Sequence, residues 1–385
     1  MATKRFDPMI LLIVVLVLFV ALAVAAQVFL GKIDQERADN LAAEQQIVRD
    51  ENERIDQEWE ITKEEYLASI NGDTANKAWP AAASQGWDVI DLTHYPLESP
   101  YSRSVSRSDA MFGGLLLVNE WHSRPDDFDD SAVTSVSGYA RELKIDSFWE
   151  NSTCKLLPQA IDALVAALRD AEAVGLKNYV LQAGDTYRSY DDQYAIFQKE
   201  VDRQRANHPS YSDEKVIERA KRTVNYPGTS EYNTGLSFRL YLYEKDNNVL
   251  NSAAFYETAQ GKWLYENSWK YGLVFRFPTA GYPMADTTDK SYKTGVTANL
   301  NIYRYVGVAN AEVMHHLDLC LEEYIEYLQE HTHVAVFEDG VKKYEITRQQ
   351  VGDDVASFAV EINRVTSNYV MYLDNMGGVI TVYTY

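Results

Sequence analysis

From Met9 to Leu30 the chain is apolar almost without a break, with Gln27 the exception. About 22 residues at 1.5 Å each reach roughly 33 Å, enough to cross the hydrocarbon core of a bilayer. Lys4 and Arg5 precede the run, and Asp34, Glu36 and Asp39 follow it. Positive charge stays on the cytoplasmic side. Residues 1–8 are therefore expected as a cytoplasmic tail and residues 9–30 as a single-pass membrane anchor, with the main body extracytoplasmic. The rival is a cleaved signal peptide using the small residues Ala21, Ala23, Ala25 and Ala26. The run is longer than a typical signal core and continues to Leu30, which favours the anchor.

Residues 31–78 form the next segment. As far as Ile70 it is rich in Glu, Gln, Asp, Ala and Arg, and its apolar residues Ile33, Leu41, Val48 and Ile55 recur at steps of seven or eight. That spacing gives a narrow stripe on a helix. The pattern fits a helical stalk that pairs with a second copy, and equally a single solvated helix. Asn71, Gly72 and Asp73 end it.

Between residues 79 and 333 helical and strand periods mix. Strands are predicted at Trp87–Leu92, Tyr179–Leu181, Phe238–Tyr243, Leu273–Phe277 and Tyr303–Gly307, with a further apolar run at Leu115–Val118. Helices are predicted at Leu156–Gly175, Asp191–Arg205, Thr258–Tyr271 and Ala309–Gln329. There is no regular βαβ alternation, so the class is α+β with a small antiparallel sheet flanked by helices. Residues 334–385 read as a small β domain that opens with a hairpin turning at Asp339 and Gly340.

Composition narrows the function. The chain has 385 residues, 36 Lys plus Arg and 57 Asp plus Glu, for a net charge of −21. A nucleic-acid partner is not expected, because neutralising phosphates needs a cationic face. The two cysteines, Cys154 and Cys320, form no CxxC pair, which excludes a Cys-based metal site. They are one disulfide or two buried thiols. Of the seven histidines, His315 and His316 are adjacent and point about 100° apart on a helix, so they cannot chelate together.

Several segments in series resemble the VanY-type zinc D-Ala-D-Ala carboxypeptidases: Gly114–Asn119, Tyr187–Tyr190, Pro227–Glu231, Asn233–Leu236, Gly261–Leu264, Glu266–Asn267, Lys270–Gly272 and Tyr303–Gly307. Their order and spacing follow that family from about Trp87 to Leu328. The resemblance implies a D-Ala-D-Ala carboxypeptidase/hedgehog-like domain whose groove receives the end of a peptidoglycan stem peptide. It also implies zinc held by two His and one Asp, with a Glu handling the proton.

At those four positions the sequence departs from the family. The His of the family's Ser-Glu-His-Gln-Thr-Gly-Leu pattern is Tyr232, and the Asp seven residues later is Arg239. The Glu and His of the later Glu-Pro-Trp-His pattern are Asn299 and Ile302. Ile302 has no donor atom, Arg239 is a permanent cation and Asn299 cannot accept a proton as a base. No catalytic residue, no metal site and no cofactor is therefore expected. The resemblance leaves Arg188 and Ser230 as substrate-binding residues, joined by Arg239 as a cation where the metal was. Arg239 is expected to pair with a ligand carboxylate, a groove carboxylate or Glu231.

The reading that follows is a membrane-anchored pseudo-peptidase that binds stem peptides or a cell-wall protein. An active carboxypeptidase with an atypical metal arrangement is the first alternative. The second is a structural surface protein with a plugged groove, which Tyr232, Arg239 and Ile302 packed against one another would favour.

Overall fold

The computed structural model divides into Met1–Thr62 and Lys63–Tyr385. Described are residue 32 and residues 79–97, 100–140, 148–150, 153–352, 356–363 and 366–385. The expected tail and anchor lie outside the described residues, and so does the stalk apart from Lys32. Among the described residues no helix is long and apolar enough to cross a membrane.

Two five-stranded sheets organise the second unit. The first has the order Phe148–Glu150, Tyr179–Leu181, Ser237–Leu242, Ile302–Tyr305, Leu273–Phe275. It is antiparallel except where Phe148–Glu150 runs parallel to Tyr179–Leu181. That one parallel pair departs from the expected pattern, and the chain between its strands contains the helix Pro158–Ala173, as a parallel crossover requires. Pro158 pre-sets the first helical turn. Its apolar residues at 160, 161, 164 and 168 face Phe238, Leu240, Leu273 and Tyr303 of the sheet.

The second sheet has the order Trp87–Asp91, His333–Glu338, Val341–Gln350, Gly378–Thr384, Tyr369–Leu373. The expected hairpin turns at Asp339 (φ 51°) and Gly340 (φ 77°). Two successive positive φ values match the right-handed twist of the flanking strands. The sheet also takes Trp87–Asp91 from the start of the body, paired antiparallel with His333–Glu338, and Ser357–Asn363 pairs with Pro100–Ser106. The C-terminal strands thus share their sheets with strands from the start of the body.

The helix expected over Ala309–Gln329 is two helices, Val308–His316 and Leu321–Glu330. Asp318 takes φ 52°, and the Leu319 N–H returns to the Met314 carbonyl at 2.9 Å, a C-terminal closure. Glu323 then accepts the Cys320 N–H at 3.1 Å and starts the next helix. Val313, Met314, Tyr324, Ile325 and Leu328 pack on Val334, Val336, Ile346 and Val382. Cys154 and Cys320 are both buried and are not joined in a disulfide. His315 stacks on Trp269 and His316 on Trp87, yet the two imidazoles meet edge to face with centroids 5.2 Å apart, so the expected 100° divergence does not separate the rings.

Under the second sheet Glu345 is fully buried. It accepts from His333 Nε2 at 3.0 Å and from the Tyr385 hydroxyl at 2.5 Å, with Lys342 Nζ at 3.3 Å. Burial alone would raise its pKa; these partners outweigh burial and hold it at about 2. A folded-state value below the unfolded one stabilises the fold above about pH 4.3, and the contribution fades as pH falls towards 2. Glu345→Gln should therefore remove about 3 kcal/mol at pH 7 and almost nothing near pH 2. Urea unfolding of both proteins at the two pH values measures this. An equal loss at both would show that the charge is not what matters.

Candidate functional site

The motif segment begins as a buried 3₁₀ turn, Glu231–Thr234, closed by Gly235 in the left-handed region (φ 67°). A Cβ at Gly235 would stand 3.3 Å from both Leu157 and Val133, so glycine serves both conformation and space. Asn233 ties the turn to its surroundings. Its Nδ2 donates to the Arg188 carbonyl at 2.8 Å, and its Oδ1 accepts the Gly228 N–H at 3.2 Å. The turn delivers Tyr232 beside the strand Ser237–Leu242, where Arg239 is the cross-strand partner of Ile302. The sheet register thus gathers three of the four family positions.

Tyr232 and Ile302 are 8% and 4% exposed and pack with Phe277 in one apolar cluster, against Val296 and Leu300. Asn299 accepts from the Thr279 hydroxyl at 2.7 Å. Burial, with Asp185 adding to it, pushes the Tyr232 phenol well above its ordinary pKa and keeps it protonated. The Arg188 guanidinium lies 4.3 Å from the Tyr232 ring centroid. Arg188 also donates to the Gly184 carbonyl and to Gln193, and sits 3.6 Å from Asp185. It is therefore already engaged. Ser230 is buried at the mouth of the turn and its side chain caps nothing.

Arg239 behaves differently. Its guanidinium lies 4.9 Å from the centroid of the Tyr241 ring, and its Nε is shielded from solvent with no hydrogen-bond partner. The expected Arg239–Glu231 pair is not there. Glu231 accepts from Arg276 Nε at 2.5 Å, Arg304 Nη1 at 2.7 Å and the Ser237 hydroxyl at 2.6 Å. Burial would raise its pKa; the two guanidiniums and the hydroxyl outweigh that and hold it below its usual value. Arg276 in turn grips Glu322 through two hydrogen bonds of 2.8 and 2.6 Å, and Asn119 donates to Glu322 at 3.0 Å. Arg304 Nη2 donates to the carbonyls of Gly114 and Leu116. This explains why the apolar run at 115–118 is buried without forming a strand. The chemistry-bearing residues that sequence reasoning missed are Glu231 in this role, Arg276, Arg304 and Glu322.

Beside the cluster of Tyr232, Phe277 and Ile302 lies a cleft of about 510 Å³. Arg239, Tyr241, Leu250, Phe255, Tyr256 and Tyr282 are among its lining residues. Tyr241 donates to Asp185 at 2.5 Å; burial and that carboxylate push its phenol up to about 12.

A family model described as VanY, D-alanyl-D-alanine carboxypeptidase, matches residues 153–308. The "Putative carboxypeptidase YodJ" of Bacillus subtilis (strain 168) is 32% identical over 242 residues, which span 61% of this chain and 77% of that protein. The chain belongs to the VanY D-alanyl-D-alanine carboxypeptidase family. A D-alanyl-D-alanine carboxypeptidase of Enterococcus faecium is 26% identical to this VanY-family chain over 252 residues, 65% of this chain and 69% of that one. The solved vancomycin resistance D,D-dipeptidase VanXYg, in complex with a D-Ala-D-Ala phosphinate analog, shares the fold with a TM-score of 0.52. It is 19% identical and covers 74% of this chain and 99% of its own.

A VanY-type zinc needs imidazole and carboxylate donors around one point. The residues that the sheet register gathers here are a protonated phenol, a guanidinium and an aliphatic side chain, and two of them fill the space themselves. They do not fit the metal. Among the described residues no group of three or more His, Cys, Asp and Glu side chains is placed to hold an ion.

Proposed function

We propose that this VanY-family protein is a membrane-anchored, extracytoplasmic pseudo-peptidase, which binds the carboxylate-bearing end of a peptidoglycan stem peptide without cutting it. The carrying observation is the packing of Tyr232, Ile302 and Phe277 into one buried apolar cluster at the family's metal position. A water molecule there would have no cation to acidify it and no carboxylate at position 299 to take its proton. The open cleft beside the cluster supports retained binding, and Arg239 supplies the positive charge. The plugged-groove alternative is favoured by the same cluster but not by Arg239, which lines the cleft.

The test is a pair of measurements on the purified protein. Metal analysis should find no stoichiometric zinc. Incubation with acetyl-Lys-D-Ala-D-Ala should release no D-alanine above the uncatalysed background. Stoichiometric zinc with chelator-sensitive release would restore the active-enzyme alternative.

A further inference from the structure

The second half of the central strand Ser237–Leu242 has a strand beside it on one side only. Towards Tyr179–Leu181 the register runs from Leu240 to Leu242. The Arg239 N–H extends it to the Asp185 carbonyl at 2.9 Å, and the Tyr243 N–H to the Asn178 carbonyl at 3.0 Å. On the other side Ile302–Tyr305 covers only Ser237 to Arg239. There the neighbouring chain turns away: the Ile302 N–H closes a tight turn on the Leu300 carbonyl at 3.0 Å. Asn301 meets the strand with its side chain instead. Its Nδ2 donates to the Leu240 carbonyl at 2.6 Å, and the Tyr256 hydroxyl fixes it by donating to Oδ1 at 2.6 Å.

Backbone groups alternate sides along an antiparallel strand. Those of Arg239, Tyr241 and Tyr243 point to the paired side, so those of Leu240 and Leu242 point to the other. Leu242 therefore presents its N–H and C=O where no strand lies beside it among the described residues. This edge is recessed: Leu240, Tyr241 and Leu242 form a wall of the cleft, with Tyr256, Tyr282 and Pro283 among the residues around it. Arg239, with its unpartnered Nε, lines the same cleft.

An open strand edge is a template for another strand. A recessed edge admits only a slender chain. We propose that the cleft takes a short peptide in extended conformation, which hydrogen-bonds to Leu242 as an added strand and sets its terminal carboxylate on Arg239. Charge complementarity selects the occupant, because an unpaired guanidinium calls for an anion. Spacing sets its length. Three residues of strand span about 10 Å, so the amide that meets Leu242 lies two or three residues before the carboxyl end. The proposal rests on the reading of the chain as a stem-peptide binder and adds how the peptide is held.

The test is calorimetric titration of the full chain with acetyl-Lys-D-Ala-D-Ala as free acid, as C-terminal amide, and as analogues N-methylated at one internal amide at a time. An all-L acetyl-Lys-Ala-Ala acid is run alongside. The free acid should bind, and the amide should bind about tenfold or more weakly, as losing a hydrogen-bonded charge partner implies. At least one N-methylated analogue should weaken similarly. Leu242→Pro deletes the cleft-facing N–H and no bond to Tyr179–Leu181, so it should weaken the acid about tenfold; because Leu242 also packs on the core, its melting temperature is measured alongside to confirm that the variant is folded at the titration temperature. If Leu242→Pro does not fold, the N-methyl series decides alone. Equal binding of every N-methylated analogue and the parent overturns strand addition while leaving the stem-peptide reading standing. Equal binding of acid and amide overturns the role of Arg239. Binding of the all-L acid alone, still sensitive to N-methylation, upholds strand addition and removes the stem peptide as ligand. No binding of either acid overturns both.

Discussion

Glu231→Ala is expected to lower the stability of the folded protein by about 3–5 kcal/mol, the usual cost of taking one partner from a buried ion pair. The reason is the asymmetry of what remains. The side chains of Arg276 and Arg304 are both 0% exposed. Without Glu231, Arg276 keeps Glu322, but Arg304 is left with backbone carbonyls alone. A guanidinium out of water with no counter-charge is what the interior tolerates least. Replacing Glu231 and Arg304 together by apolar residues of similar size should cost less than Glu231→Ala alone, since the stranded charge goes with its partner. Urea unfolding of the three proteins tests this. A loss below about 1 kcal/mol for Glu231→Ala, or a double variant no more stable than Glu231→Ala, would contradict the account.

The network also marks where sequence reasoning stops. Elements whose cause is local were legible. Pro158 and the apolar spacing placed one helix, and Asp339 with Gly340 placed the hairpin turn. The α+β class followed from mixed periods. The break at Asp318 was not legible, because apolar spacing continues across it. The strand pairing of Trp87–Asp91 with His333–Glu338 joins segments far apart in the chain, and nothing in either segment names its partner. Charge pairing failed for the same reason. Arg239 and Glu231 are near in sequence and were natural partners, yet Glu231 is held by Arg276 and Arg304, and Arg239 is left in the cleft. The four positions where the family's ligands and base are expected were assigned from motif order. That Tyr232 and Ile302 pack with Phe277, and that Arg239 lines the adjoining cleft, needed coordinates, since both depend on how the turn and the strand are brought together.

The register of that strand supports the second large effect: the quadruple change Tyr232→His, Arg239→Asp, Ile302→His and Asn299→Glu should create zinc affinity. Arg239 and Ile302 are direct cross-strand partners, so an Asp and a His there share one face of the sheet. Position 232 packs against position 302, so the second imidazole enters from the adjoining turn. Three donors around one point are what a zinc with an open coordination position needs. The changes also empty the centre, because a phenol and an isoleucine give way to two smaller rings, and they exchange a repelling cation for an anion. A dissociation constant of about 1 μM or tighter corresponds to roughly −8 kcal/mol. Each single change should give no measurable binding: one imidazole beside an arginine faces repulsion with no second ligand to offset it. Hydrolysis is a separate matter. Asn299 accepts from Thr279, and a Glu in its place would be oriented by that hydroxyl instead of by groups tuned to a metal-bound water. Zinc titration against a competing chelator, run on the quadruple variant and the four single variants, separates the cases. Binding by a single variant as tight as by the quadruple would mean that the metal sits elsewhere, and no binding by the quadruple would mean that Phe277 and its neighbours close the space even after the ligands return.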